Sequence, residues 1–322
     1  MREGKFLQNN IKKWKAIQEE HAASPDELAN QFAELVNDLG YAKTFYPQSQ
    51  VTTYLNGLAS SRYLAIYQNK KEERSRIRQF WVLELPLVIR KHHRSLAYSF
   101  IVFFLFALIA AFSTARDQEF VRGVLGSGYV EMTEDNIAKG DPFGVYKQED
   151  QLMMFLTIAL NNIQVAFNMF VSGFFAGIGT IYMLFKNGVM LGSFQYFFFS
   201  KGLGWESVLV IWIHGALEIS AIVIAGAAGL AIGRSMLFPG TYTRLQSLKT
   251  GAKDGMKIMI GLVPVFLTAA FFEGFITRYT NMPVFLSSAI LLLSFAFIGW
   301  YFIYYPIKLT NKILNAENIQ VI

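Results

Sequence analysis

His214 and Glu218 stand four residues apart inside a long apolar stretch, in the run Trp212-Ile213-His214-Gly215-Ala216-Leu217-Glu218. On a helix that spacing places both side chains on one face. An imidazole beside a carboxylate can pass a proton, ligate a divalent cation or close a hydrogen-bond network. Glu273, Asn161, Asn162 and Arg278 are further polar groups set in, or at the ends of, apolar stretches, as are Lys186, Asn168 and Asn187. Other chemistries are poorly served. With no cysteine in the chain, disulfides, thiolate metal sites and cysteine nucleophiles are all removed. The two-histidine helix motif H-E-x-x-H is missing, and no serine lies near His214 in sequence to make a triad. No glycine pattern is followed by the Lys-Ser/Thr of a phosphate loop, so no cofactor is expected.

The elements that hold these residues follow from composition. The 322 residues are 53% hydrophobic and 16% charged, with a mean hydropathy of +0.33. Soluble domains are nearer a quarter charged, and here the apolar residues collect after residue 95. On a criterion of about 20 apolar residues per span, six spans are expected near 95–114, 152–174, 176–199, 207–232, 257–276 and 284–305. The fold class is therefore an all-α polytopic membrane protein. The second and third spans form one apolar tract divided by Gly173 to Gly179, and either a turn or a re-entrant segment fits there.

Loop charges give an orientation. Arg90, Lys91 and Arg94 precede the first span, and loop 234–256 carries Arg234, Arg244, Lys249 and Lys253 against Asp254. Lys308 and Lys312 follow the last span, whereas loop 115–150 holds four basic and eight acidic residues. By the positive-inside rule both termini are expected in the cytoplasm, with the protein in the cytoplasmic membrane. The first thirty residues lack an apolar h-region, so no signal peptide is expected. In this topology His214 lies about seven residues, roughly 10 Å, from the outer end of its span. Asn161 and Asn162 lie about ten residues deep, and Glu273 about one turn from the outer end of the fifth span, with Arg278 just beyond. The polar groups then converge in the outer half of the membrane.

Three readings of that convergence stand side by side. It is a structural network fixing helix register, a transport or proton-relay site, or a metal-dependent intramembrane hydrolase with His214, Glu218 and Glu273 as ligands or general base. The spacings Gly173…Gly177, Gly188…Gly192 and Gly229…Gly233 are G-x-x-x-G patterns that let helix backbones approach, within the chain or between copies in a homo-oligomer. Lys186 interrupts the third span and can snorkel.

Residues 1–94 carry 15 Lys+Arg against 10 Asp+Glu and no span. Phe6, Trp14 and Ile17 beside Lys12, Lys13 and Lys15 predict an amphipathic helix able to rest on headgroups. Ser24-Pro25-Asp26-Glu27 reads as a capping box, opening a helix with Leu28, Phe32, Leu35, Val36 and Leu39 on one stripe, stopped by Gly40. After Pro47 a third helix carries Val51, Tyr54, Leu55, Leu58 and Arg62. A charged stretch runs from Lys70 to Arg78, and Phe80 to Ile89 reads as an interfacial elbow at Pro86. The expected organisation is a helical cytoplasmic or membrane-surface domain over 1–94, a spanning domain over 95–305 and a tail over 306–322. Basic residues track the membrane face, so membrane lipids are expected partners and nucleic acid is not; other envelope or membrane proteins enter as partners only through the resemblance given next.

These residues together resemble the stage II sporulation protein M family. The resemblance is carried by Arg2-Glu3 and Trp14, the Asn162 region, Gly173 to Gly179, Asn187-Gly188 with Gly192, His214-Gly215-x-x-Glu218 with Gly226 and Gly229, and Glu273-Gly-Phe-Ile-Thr277. It extends over essentially the whole chain. It implies an integral membrane protein that anchors an envelope complex, in spore formers together with peptidoglycan-degrading proteins during engulfment.

Overall fold

A computed structural model describes residues 2–19, 25–68, 76–147, 150–279 and 282–319. Every regular element among them is helical. The chain divides into two compact units, Met1–Arg76 and Ile77–Ile322. The spanning unit thus begins well before residue 95, because Leu85 and Ile89 are buried in its core.

The first unit is a three-helix bundle of α1 (Glu3–Glu19), α2 (Pro25–Phe45) and α3 (Gln50–Gln68). Phe6, Trp14 and Ile17 of α1 do not lie on a membrane: they enclose a core with Leu35, Leu39, Leu55 and Leu58. The Trp14 indole donates to Asp38 Oδ2 at 2.8 Å, and Lys13 pairs with the same carboxylate at 2.7 Å. Gly40 does not end α2, which continues to Phe45; a glycine inside a helix costs only about 1 kcal/mol against alanine, and packing of Ala42 in the core offsets it. Pro47 does break the chain, and Ser49 Oγ accepts from the Val51 amide at the start of α3. Ser24 of the capping box and most of the charged stretch, 69–75, lie outside the described residues.

The second unit starts with a short helix, α4 (Arg76–Gln79), a π-helical turn over Phe80–Glu84 and α5 (Leu85–Lys91). The expected elbow is therefore continuous helix; Pro86 brings no N–H to the preceding turn, and the Trp81 and Val82 carbonyls there accept instead from the Tyr301 and Tyr305 hydroxyls at 2.8 Å. Next come α6 (His93–Arg116), two short helices α7 (Gln118–Leu125) and α8 (Ser127–Ala138), then α9 (Gln151–Val171), α10 (Ile178–Ser200), α11 (Gly204–Leu237), α12 (Arg244–Phe271), α13 (Val284–Gly299) and α14 (Tyr305–Ile319). Further π-helical turns join α12 to Thr277 (Phe272–Ile276) and α13 to α14 (Trp300–Tyr304).

Glycine neighbours fix the helix directions. Gly188 and Gly192 of α10 face the backbone of Phe103 and Ala107, so α6 and α10 run the same way. Gly226, Gly229 and Gly233 of α11 meet Leu184, Thr180 and Gly177 in reverse order, so α11 runs opposite to α10. Gly251 and Gly255 of α12 lie against Ser235 and Ala228, reversing direction again. Six long helices thus alternate in direction around α11, which packs on α6, α9, α10, α12 and α13. Five of the helical segments are long and apolar enough to cross a bilayer: His93–Arg116, Gln151–Phe174, Gly204–Leu237, Arg244–Ile276 and Val284–Ala316. The sixth long helix, α10, has 23 residues. Lys186, Asn187 and Gln195 dilute its apolar character, and α10 runs through Lys186 without a break. The chain is an all-α polytopic membrane protein.

Between α9 and α10 residues 172–177 make a tight turn, not a re-entrant segment. A 3-10 turn over Ser172–Phe174 leads to left-handed backbone at Ala176 (φ 53°) and Gly177 (φ 82°). The turn sits on the α11 backbone: a Cβ on Gly173 would lie 2.2 Å from Gly229 O. The three G-x-x-x-G spacings are therefore engaged inside the chain.

Helices α7 and α8 cover the end of the body formed by the C-terminus of α10 and the N-terminus of α11. Val121, Val130 and Phe143 pack there on Phe197, Phe198 and Ile211. Lys201 reaches Glu134 at 2.6 Å, and Arg122 bonds the same side chain at 3.1 Å. The Lys201 hydrogen bond, ahead of the nearby positive charges, holds the Glu134 carboxyl below its ordinary value. A lowered carboxylate stabilises the fold above its unfolded value and ceases to do so as pH falls through the folded one. Lowering the pH below the ordinary carboxylate value is therefore expected to reduce the protection of α8 amides, taken relative to their intrinsic exchange rates, by about two- to fivefold, the worth of an exposed ion pair. In Glu134→Gln the exchange should already be faster at pH 7 and lack that pH step.

Candidate functional site

Near the capped end, five of the six expected polar residues line one cavity of about 510 Å³: Asn161, Asn162, His214, Glu218 and Glu273. His214 and Glu218 come from successive turns of α11, as their spacing requires. Asn161 and Asn162 come from α9. Glu273 comes from the π-helical turn that ends α12, a local widening that often appears where a side chain must be re-aimed. Arg278 does not line this cavity. It follows Thr277, beyond the π turn, where the chain has left the helix that carries Glu273.

The geometry around His214 is specific. Its ring is almost fully buried, and Nδ1 lies 3.0 Å from Thr277 Oγ1. The Thr277 hydroxyl donates to Phe272 O at 3.2 Å, so Thr277 Oγ1 is the acceptor for a proton on His214 Nδ1. That tautomer leaves Nε2 with its lone pair, 3.8 Å from Glu273 Oε2. One donor atom each from His214, Glu218 and Glu273 falls within 4.8 Å of the others. The Nδ2 group of buried Asn162 faces Glu218 without completing a hydrogen bond. Such a set can hold a cation or share a proton, since three acceptors brought together in an apolar surround need positive charge between them.

Two contributors escaped the sequence reading of the site. Tyr129 of α8 lines the cavity, and it reaches there through tertiary packing of a segment with no span-like signal. Thr277 orients the imidazole; its place four residues after Glu273 was the signal available. Beside the cavity the Trp212 indole donates to Gln195 Oε1 at 2.7 Å, and Gln195 Nε2 donates to Ser207 at 2.9 Å. Asn187 instead bonds its own helix at Met183 O, Lys186 and Asn168 face outward, and His92 and His93 bond Asp254 and Phe302 O far along the chain from this site.

Long apolar helices, with a polar cavity near one end, define a polytopic membrane protein. The family model of stage II sporulation protein M matches residues 99–278, more than half of the chain and all of the cavity's lining. The chain belongs to the stage II sporulation protein M family. That match does not extend to Arg2, Glu3 and Trp14, so the family likeness is narrower than the whole chain. Residues 4–68 are instead similar to a separate domain of unknown function, DUF8413. No curated protein and no solved structure matches the chain.

Proposed function

We propose that this protein organises an envelope-associated protein complex, with the six-helix body as membrane anchor and the N-terminal bundle as a docking module. The observation that carries this reading is the bundle itself. It has a core of its own, and yet α2 and α3 keep apolar side chains outside it. The Phe32 and Tyr63 rings meet at a tilt, with centroids 5.8 Å apart, and Val36, Tyr63 and Leu64 are 45%, 46% and 53% exposed. Apolar side chains gathered on a small module favour a protein partner.

The orientation proposed is cytoplasmic for the bundle and both termini. Arg90 and Lys91 at the end of α5, Arg94 at the start of α6, Arg234 at the end of α11 and Arg244, Lys249 and Lys253 of α12 fall at one end of the alternating helices. Lys91 and His92 meet Asp254 there at 2.7 and 3.0 Å, and Lys257 meets Glu84 at 2.5 Å. This clustering supports the positive-inside assignment, with the α7–α8 cap facing the other side.

Native mass spectrometry of the full chain, extracted from its own membrane in mild detergent, tests the proposal. The expected spectrum carries a second protein at fixed stoichiometry. Val36→Asp with Tyr63→Asp should release it while the chain still elutes as a monodisperse species. A monomer free of protein partners in every mild extraction would overturn the reading.

A further inference from the structure

We propose that His214, Glu218 and Glu273 form a binding site for a first-row divalent transition metal, with one coordination position open to the cavity. The first argument is the donor set. His214 offers the Nε2 lone pair because Nδ1 is committed to Thr277. A ligating histidine held through its other nitrogen by a hydrogen bond is the usual arrangement around protein-bound metals. Two carboxylates from different helices complete three donors within 4.8 Å of one another. Metal bonds of about 2.0–2.2 Å place neighbouring ligands roughly 3–4 Å apart, so small rotations of the two glutamates close the site. One imidazole with two carboxylates suits zinc, manganese or iron; calcium and magnesium prefer oxygen alone.

The second argument is the amide that stands beside Glu218. Asn162 is 6% exposed, and its Nδ2 atom lies buried without a hydrogen-bond partner on the wall of the same cavity. A buried amide donor left unpaired costs about 1–3 kcal/mol. An N–H group has nothing to offer a cation, but it suits the oxygen of a water or substrate held on one. The three acceptors thus ask for positive charge, and the donor opposite asks for an oxygen in the space between. A hydrated divalent metal supplies both. The cavity of about 510 Å³ leaves ample room for it.

Cobalt(II) is a direct probe, because its visible absorption reports ligation and not mere proximity. The full chain in detergent is stripped with chelator, titrated with Co²⁺, and then challenged with Zn²⁺. The expected result is one Co²⁺ per chain with a visible band that Zn²⁺ abolishes. His214→Ala and Glu273→Gln should each weaken binding at least tenfold. Thr277→Val should weaken it about 10- to 100-fold, the usual effect of losing an outer hydrogen bond on a ligand. His92→Ala, whose imidazole bonds Asp254 and not this cluster, should bind as the parent does. Circular dichroism and gel filtration establish that each variant is folded. Glu273→Gln, which preserves shape, decides the matter if His214→Ala is not. Folded parent protein with no saturable band, or a band unchanged in both ligand variants, overturns the proposal. Neither result bears on the docking reading, whose test uses the N-terminal bundle.

Discussion

Gly192→Leu should leave almost no folded protein in the membrane. A Cβ at this position would lie 1.9 Å from Ala107 O and 2.7 Å from the Ala107 carbonyl carbon. These are backbone atoms of α6, not the end of a side chain that can rotate away. One turn earlier, a Cβ on Gly188 would lie 2.5 Å from Phe103 O, so the two helices touch along a seam and cannot relieve the clash by tilting at one point. Lipid offers little hydrophobic drive to hold helices together, and close backbone packing is what binds them. Overpacking in a well-filled interior costs about 1–3 kcal/mol when only side chains adjust, and more when backbone must move. Moving α6 also disturbs Ser99, whose hydroxyl bonds Val223 O of α11 at 2.6 Å. The damage therefore spreads to the central helix. Gly215→Ala is the counterpart: a Cβ there meets nothing within 4 Å, and the helix propensity of alanine should keep or slightly raise stability. Thermal melting followed by gel filtration in detergent checks both. A Gly192→Leu protein that melts with the parent would mean that α6 and α10 do not cross at these glycines.

The spans were readable because a bilayer demands long apolar helices, and the partners of His214 were readable because alternation of direction follows from loop charge. That logic brought Asn162, Glu218 and Glu273 to one place before any coordinates. It failed at Arg278, since apolar periodicity carries no mark of a π-helical turn, and one extra residue at Phe272–Ile276 changes where the chain goes next. The same blindness hid the continuous helix at Phe80–Glu84, which had looked like an elbow. Tyr129 was missed for another reason: α8 packs on Phe194 and Phe198 through contacts far apart in sequence. The first helix shows the deepest ambiguity. Phe6, Trp14 and Ile17 define an apolar face by spacing alone, but spacing does not say whether lipid or protein covers it. Only the stripes of α2 and α3 folding back onto it decide in favour of protein.

Trp14→Ala should unfold the N-terminal bundle and leave the membrane body intact. Trp14 is fully buried, stands edge-on to Phe6 at 5.4 Å, and holds Asp38 through its indole N–H at 2.8 Å. Removing a buried tryptophan costs about 3–5 kcal/mol. A core of this size rarely supplies more than about 3–5 kcal/mol in total, so the loss is comparable to all the stability the bundle has. Asp38 keeps Lys13 at 2.7 Å, but that pair is partly exposed and contributes little on its own. Limited proteolysis of the full-length chain reads the result: cuts within residues 3–68 should become fast, while the fragment from Ile77 onward persists. The second unit has a core of its own, so its melting should not shift. If the bundle docks a partner, this one substitution removes the partner as well. Cobalt binding at His214, Glu218 and Glu273 should survive it, because those three side chains and Thr277 all belong to the second unit.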